Sequence, residues 1–458
     1  MDVVKIISDI IWSPVLVVFL VAAGIYFTVG TRFVQIRKIR TMLRILSPEN
    51  RRKKGDKISS FDALCLSVSG RVGTGNIVGV ATAIAIGGPG AIFWMWMVAL
   101  LGASSAFVES TLAQLYKFKY NNMWLGGPFC YISNGLKCRW LAVLFAIVTV
   151  IGNGLFATTV QSNSLAGAVF NSFHLGHVWS GIILAFLIAC VIVGGRKRIF
   201  NMASVVAPVM ALGYLAATVI VLAFNWRGIP AAFGSIITNA FGINPLCGGI
   251  LGSTIMMGVK RGLFSNEAGQ GTGAIPSASA DVEYPAEQGI AQSFSVYIDT
   301  LFVCTCTALM ILTTGCFNVI DPDTGEMLVA NVPELGDNYV SYTQSAVDKA
   351  FPGIGGGFVS IALFFFVFTS LMAYYFYSET SVICMCRNRS PKTVKLLIYL
   401  LKALFITAII YGAVKESNLV WTLTDIGVGA MVWINIIAIL LLSKQAFKAL
   451  KDYENNHS

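Results

Sequence analysis

The stretch S-G-R-V-G-T-G-N, Ser69 to Asn76, sets Gly70, Gly73 and Gly75 inside an apolar run. Each glycine weakens a helix by about 1 kcal/mol relative to alanine, so three this close together favour an interruption. Unwound main chain inside hydrocarbon persists only where it lines a cavity or is buried in protein. The freed carbonyls of Ser69 to Val72 then suit a cation or an ammonium group. The amides of Thr74 to Asn76, opening the next half-helix, suit a carboxylate. One interruption of this kind can hold both ends of a zwitterion. Close helix packing through the G-x-x-x-G pair Gly75 and Gly79 is the competing explanation. A second cluster, Gly248, Gly249 and Gly252 in G-G-I-L-G-S-T, favours the interruption, because it opens another apolar segment.

Other polar residues fall in apolar surroundings. Arg71 lies beside the first glycine cluster, and an arginine at the centre of a span costs roughly 2.5–3.5 kcal/mol. A partner is therefore expected, Asp299 first and Glu109 second. Gln161 and Asn163, with Asn153 two turns earlier, form a polar stripe that serves either as interhelical glue or as pocket lining. Thr369, Ser370, Tyr374 and Tyr377 share one segment, and Ser370 and Tyr374 share a helix face. Their hydroxyls suit a hard cation such as sodium, unless they bond their own helix. Glu267, Asp281 and Glu283 are expected in an inner loop, 265–287, solvated or making a gate contact. The C-x-C pairs Cys304/Cys306 and Cys384/Cys386 read as helix filler. His174 and His177 read as a loop pair rather than a metal site. The chain has no phosphate-binding G-x-x-x-x-G-K-[ST], no H-E-x-x-H and no G-x-S-x-G, so neither ATP nor a familiar catalytic cluster is implied. No cofactor or metal is expected beyond a coupling cation, and energy must come from a gradient.

The elements that would position these residues are membrane helices. Charged residues make up 12% of the 458 positions, against about 25% in a soluble domain. Runs such as Trp12 to Gly30 and Ile361 to Tyr377 are long enough to span a bilayer. Eleven spans are predicted, near 10–30, 60–86, 90–116, 140–169, 178–194, 201–224, 244–264, 288–316, 354–385, 394–413 and 418–443. Segment 228–243 is expected on the surface. The first span has no basic leader beyond Lys5 and no A-x-A site, so it reads as retained. If 31–57 is cytoplasmic, alternation puts nearly all of the 32 Lys and Arg residues inside. Only Lys5, Arg227, Lys349 and Lys415 fall outside, and Arg71 and Lys402 within spans. This bias predicts an outside N-terminus and a cytoplasmic C-terminus. It also explains the net charge of +10 without nucleic acid. The long outer stretch 317–353 is acidic. After the first span, ten remain. Two halves of five would insert in opposite orientations, an inverted repeat. The expected division is 1–58, an extra helix and basic segment; 59–226, the first repeat; 227–443, the second; and 444–458, a cytoplasmic tail.

Several stretches together resemble the alanine-or-glycine:cation symporters, also called sodium:alanine symporters or amino acid carrier proteins. These are R-V-G-T-G-N-I-V-G-V-A-T-A-I (71–84), G-G-P-G-A-I-F-W-M-W (87–96), G-G-P-F-C-Y-I (126–132), Q-S-N-S (161–164), R-G-L-F-S-N-E-A-G (261–269) and I-D-T (298–300). The resemblance implies an all-α integral membrane fold: a leucine-transporter-type core of five plus five helices behind one extra N-terminal helix. It implies sodium-coupled, sometimes proton-coupled, amino acid uptake by alternating access. By analogy Asn76 helps coordinate a sodium ion beside the substrate. Substrate contacts map to Thr74, Gly75, Asn76, Gln161, Ser370 and Tyr374. A further cation is expected between Ser69, Val72 and the hydroxyls of Thr369 or Ser370. Family members usually have threonine at Ser370 and tryptophan at Tyr374. The smaller, hydroxylated ring leaves room for a larger or more polar substrate, such as serine or glutamine. The expectation is a cation-coupled symporter of a small amino acid in a bacterial-type plasma membrane. A channel, a membrane-embedded enzyme and a non-transporting amino-acid sensor are the rivals.

Overall fold

A computed structural model describes residues 2–47, 57–243 and 250–456. Among them, eight helices are long and apolar enough to cross a membrane: Val3–Gly30, Ala91–Leu115, Arg139–Phe173, Arg196–Phe224, Pro285–Thr314, Gly355–Cys386, Pro391–Val414 and Ser417–Asn456. The first is α1 (Asp2–Ile11) and α2 (Pro14–Gly30), joined at a proline that has no N–H to continue the ladder. α3 (Ser60–Arg71) starts at a capping box, in which the Ser59 hydroxyl accepts from Asp62 N and the Asp62 carboxylate accepts from Ser59 N. It stops at Val72, whose backbone is extended. A wide π-turn, Gly75–Gly79, leads into α4 (Val80–Gly87). Then follow α5 (Ala91–Leu115), α6 (Arg139–Ile151), α7 (Thr158–Phe173), α8 (His177–Val193) and α9 (Arg196–Phe224).

The later part of the chain holds α10 (Leu251–Asn266), α11 (Ala274–Ala278), α12 (Pro285–Val296) and α13 (Thr305–Thr314). It continues with α14 (Tyr339–Ala350), α15 (Gly355–Cys386), α16 (Pro391–Val414) and α17 (Ser417–Asn456). Two more π-turns, Gly152–Ala157 before α7 and Tyr297–Cys304 before α13, interrupt otherwise continuous helices. Such turns recur at functional sites, and here all three flank the candidate site.

α5 is central: α10 and α12 pack on it, while α7 packs between α15 and α16. The outer faces are apolar. On α9, Val205, Val209 and Leu212 share one exposed apolar face, as expected of a helix turned toward lipid or a partner. The stretch 317–353 is folded. Strands Asn318–Ile320 and Met327–Ala330 pair antiparallel, and α14 packs on α15. The segment before the second glycine cluster is a half-buried helix, Ile229–Ala240.

Three expectations change. Gly252 lies inside the unbroken helix α10, and Gly248 and Gly249 lie outside the described residues. The interruption comes after α10, between Asn266 and Ala274. The predicted inner loop 265–287 is no solvated loop at its start: Glu267, Gln270 and Thr272 are all buried. Lys260 and Arg261, which the charge bias counts as cytoplasmic, lie well inside α10. Arg261 meets both carboxylate oxygens of Asp425 at 3.2 and 3.1 Å, and Lys260 Nζ approaches Asp425 Oδ2 at 2.7 Å.

Candidate functional site

The first interruption is held open by side chains from two other helices. Gly73 N donates to Asn76 Oδ1 at 2.8 Å, and Thr74 N donates to Gln161 Oε1 of α7 at 3.1 Å. Ser370 Oγ of α15 donates to Val72 O at 3.1 Å or to Phe366 O of its own helix at 2.9 Å. Gln161 Nε2 donates to the Tyr374 hydroxyl at 3.3 Å. Thr74, Gly75, Asn76, Gln161, Ser370 and Tyr374 are thus brought together, and all are buried. At Gly73 two side-chain ends approach the backbone closely. A Cβ there would stand 2.6 Å from Ser370 Oγ and 2.8 Å from Gln161 Nε2. Close packing and interruption, alternatives in the sequence, coexist here.

The hydroxyls of Ser69 and Thr74 are buried without a protein partner, which leaves their oxygens available to a ligand. Thr369 is turned elsewhere: its hydroxyl donates to Phe365 O or Phe366 O, both at 3.0 Å, and faces Met210 of α9. Asn163 also leaves the pocket. Its amide donates to Gly412 O at 3.0 Å and Lys415 O at 2.7 Å, tying α7 to α16.

The second interruption, Glu267 to Gly273, takes left-handed backbone at Glu267 (φ 53°), Gly269 (φ 83°) and Gly271 (φ 89°). Its main chain is again satisfied from afar. Glu109 Oε2 of α5 accepts from Gly271 N at 3.1 Å and from Asn435 Nδ2 of α17 at 2.9 Å. Asn435 Nδ2 also donates to Gly269 O at 2.9 Å, and the Tyr131 hydroxyl donates to Asn435 Oδ1. Gln270 Nε2 donates to Asn153 Oδ1 at 3.1 Å. The Glu267 carboxylate accepts from Thr272 Oγ1 at 2.7 Å and interacts with the Tyr374 hydroxyl. Tyr374 therefore bonds Gln161 at the first interruption and lies within electrostatic reach of Glu267 at the second.

Arg71 joins them too, but not through the expected carboxylates. Its Nη1 donates to Gln292 O at 3.1 Å and to Ser295 Oγ, and its Nη2 fills the space where Gly273 has no Cβ. Asp299 instead serves Asn76. Asn76 Nδ2 donates to Asp299 Oδ1 at 2.6 Å, while Ser265 and Thr300 hydroxyls donate to Oδ2 at 2.9 and 2.7 Å. The sequence pointed to Asp299 for the wrong partner and missed the second interruption. The signal was present as Gly269, Gly271 and Gly273, alternating as Gly73 and Gly75 do.

Among the described residues no group of three or more His, Cys, Asp or Glu could hold a metal ion. The site offers backbone dipoles, hydroxyls and carboxamides around a buried point, with the buried carboxylates of Asp299, Glu267 and Glu109 and the Arg71 guanidinium beside it, a set suited to binding and releasing a ligand.

Paired interruptions inside a polytopic helical bundle define a membrane carrier. The profile described as Sodium:alanine symporter family matches residues 1–458. The chain belongs to that family, and it is a cation-coupled amino acid transporter rather than an enzyme. It is 47% identical over 99% of its length, and 92% of the relative's, to the putative sodium/proton-dependent alanine carrier protein YrbD of Bacillus subtilis. It is 44% identical to the sodium/proton-dependent alanine carrier protein of Bacillus sp. strain PS3, covering 90% of this chain and 91% of that one. The probable sodium/glutamine symporter GlnT of Bacillus subtilis is 40% identical over 98% of this chain and 90% of its own length. A crystal structure of a manganese transporter from Eremococcus coleocola shares the fold at a TM-score of 0.54 and 11% identity, over 85% of this chain and 78% of that one.

Proposed function

We propose that this chain carries a small neutral amino acid of the alanine type into the cell with sodium, by alternating access. Eleven crossing helices do this, ten of them as two inverted sets of five, with the N-terminus outside the plasma membrane and the C-terminus inside. The three crossings beyond the eight long helices are the interrupted α3–α4 unit, α8 and α10, which are short because glycines or the second interruption cut them. One observation carries the reading: the Thr74 amide, the Val72 carbonyl, Gln161, Ser370 and Tyr374 converge at a buried break. In this closed arrangement Gln161 Oε1 occupies the place at Thr74 N that a substrate carboxylate would take. The ammonium end then meets the Val72 carbonyl and the Ser370 hydroxyl. Sodium sits beside Asn76, where Asp299 supplies negative charge, with a second cation near Ser69 and Val72. Filling these dipoles lets the two sets of helices rock past each other.

A larger or polar substrate is the second reading. It is favoured by the Tyr374 hydroxyl, which bonds Gln161 and lies where the family usually has an indole, and by the relative named as a glutamine symporter. The test is uptake into liposomes containing the purified protein under an imposed sodium gradient, with unlabelled amino acids as competitors. Accumulation of alanine above the outside concentration, blocked only by alanine and glycine, supports the first reading. Competition by glutamine or serine supports the second. Binding without accumulation makes the chain a sensor, and non-saturable flux makes it a channel.

A further inference from the structure

Glu109 is buried in α5, and only one of its carboxylate oxygens is bonded. Oε2 accepts from Gly271 N and Asn435 Nδ2, while Oε1 has no partner. The charged and titratable groups within electrostatic reach of it are Arg71 from α3, Glu267 from the second interruption, Tyr131 from segment 128–134 and Tyr377 from α15; α17 presents the neutral Asn435. Asp299 is a third fully buried carboxylate nearby, in electrostatic reach of Arg71 and Glu267. One guanidinium is therefore within electrostatic reach of three carboxylates. Among the described residues none of the three is in an ion pair with Lys, Arg or His. Uncompensated charge in such an interior costs several kcal/mol per ion. A cation beside Asn76 and Asp299 answers one negative charge. The surplus at the second interruption remains.

We propose that Glu109 is a proton-binding site of the transport cycle, and that its proton loosens the second interruption; this rests on the transport reading above. A proton from water forms the O–H bond at Oε1 and leaves to water on the other side, so no oxidant or co-reactant is involved. Hydrogen bonds to a charged acceptor are about twice as strong as neutral ones. Neutral Glu109 holds Gly271 N and Asn435 less firmly than the carboxylate does. Asn435 also holds Gly269 O, so one proton relaxes two points of the interruption and its tie to α17. Proton and sodium sites are then separate, one at each interruption.

The experiment uses full-length protein in liposomes loaded with a pH-sensitive dye, with labelled L-alanine and L-glutamine tested in parallel. In the wild type, substrate uptake should bring protons into the lumen. Glu109→Gln should reduce that entry at least about tenfold, and Glu109→Asp, which keeps the acid, should retain it. If Glu109→Gln aggregates on size exclusion, the Asp variant still decides: it should move the pH midpoint of uptake by about half a unit or more. Undiminished proton entry in a folded Gln variant, or an Asp variant with an unmoved pH profile, overturns the proposal. Sodium-driven accumulation by the wild type with no proton entry overturns it as well, but leaves the transport reading standing. Failure of the wild type to accumulate either amino acid under any gradient removes the transport reading itself.

Discussion

At the level of single residues, the site depends on a missing side chain. Gly73 lies against two side-chain ends, Ser370 Oγ and Gln161 Nε2. Both can swing away from an added methyl, so Gly73→Ala should fold with an unchanged size-exclusion profile. The displaced groups are those that shape the pocket, and sodium-driven uptake should fall by about tenfold or more. Uptake equal to the wild type would remove Gly73 from the pocket. This part of the site was readable in the sequence, because glycines and an arginine inside an apolar run have few explanations. The partners were less readable. Asp299 and Glu109 both looked like counter-ions for Arg71, and spacing alone does not say which distant carboxylate an arginine reaches. Arg71 found a carbonyl and a hydroxyl on α12, which freed Asp299 for Asn76 and Glu109 for the second interruption.

At the level of elements, the two interruptions differ in how they announce themselves. The first follows a helix that ends in an extended residue and resumes through a π-turn. The second lies in S-N-E-A-G-Q-G-T-G, whose polar residues read as a solvated loop. Only the fold shows that Glu109, Asn435 and Asn153 satisfy it from three other segments. Of the apolar glycine cluster earlier in that span, Gly252 lies within α10, and Gly248 and Gly249 lie outside the described residues. Two substitutions separate these readings. Gly271→Ala puts a Cβ at φ 89° and 2.5 Å from Pro128 Cγ, a strain of about 1–3 kcal/mol. Gly252→Ala lies in an open helical position with nothing within 4 Å, where alanine should stabilise by up to about 1 kcal/mol. Thermal unfolding in detergent should show a lower midpoint for the first and an equal or higher one for the second. The reverse order would return the break to Gly252.

At the level of the whole molecule, α10 is fastened to α17 by a buried ion cluster. Asp425 is 4% exposed and takes both Arg261 and Lys260. It lies about 12 Å along α17 from Ser417 at 1.5 Å per residue, well away from the helix end. Charge counting took those two basic residues as cytoplasmic topology signals because it weighs sign and not depth. Removing one partner of such a cluster costs roughly 3–5 kcal/mol. Asp425→Asn should therefore lower the unfolding midpoint, and added salt should not reproduce the effect, because the buried pair is poorly screened. A variant that melts with the wild type would show the cluster to be dispensable. The helical class and the order of apolar segments were legible from hydropathy. The cross-links between distant helices were not, since they depend on which polar faces the bundle turns inward.

The N-terminal helix has a late partner. Trp12 Nε1 donates to Asp425 O and Trp433 Nε1 donates to Ile11 O, contacts 413 and 422 residues apart in sequence. During synthesis α1 enters the bilayer hundreds of residues before α17 leaves the ribosome. Until then its indole N–H has no acceptor from α17. The first segment is thus fastened by a helix made much later, and a nascent chain cut short before α17 would lack the acceptor that Trp12 meets in the finished bundle.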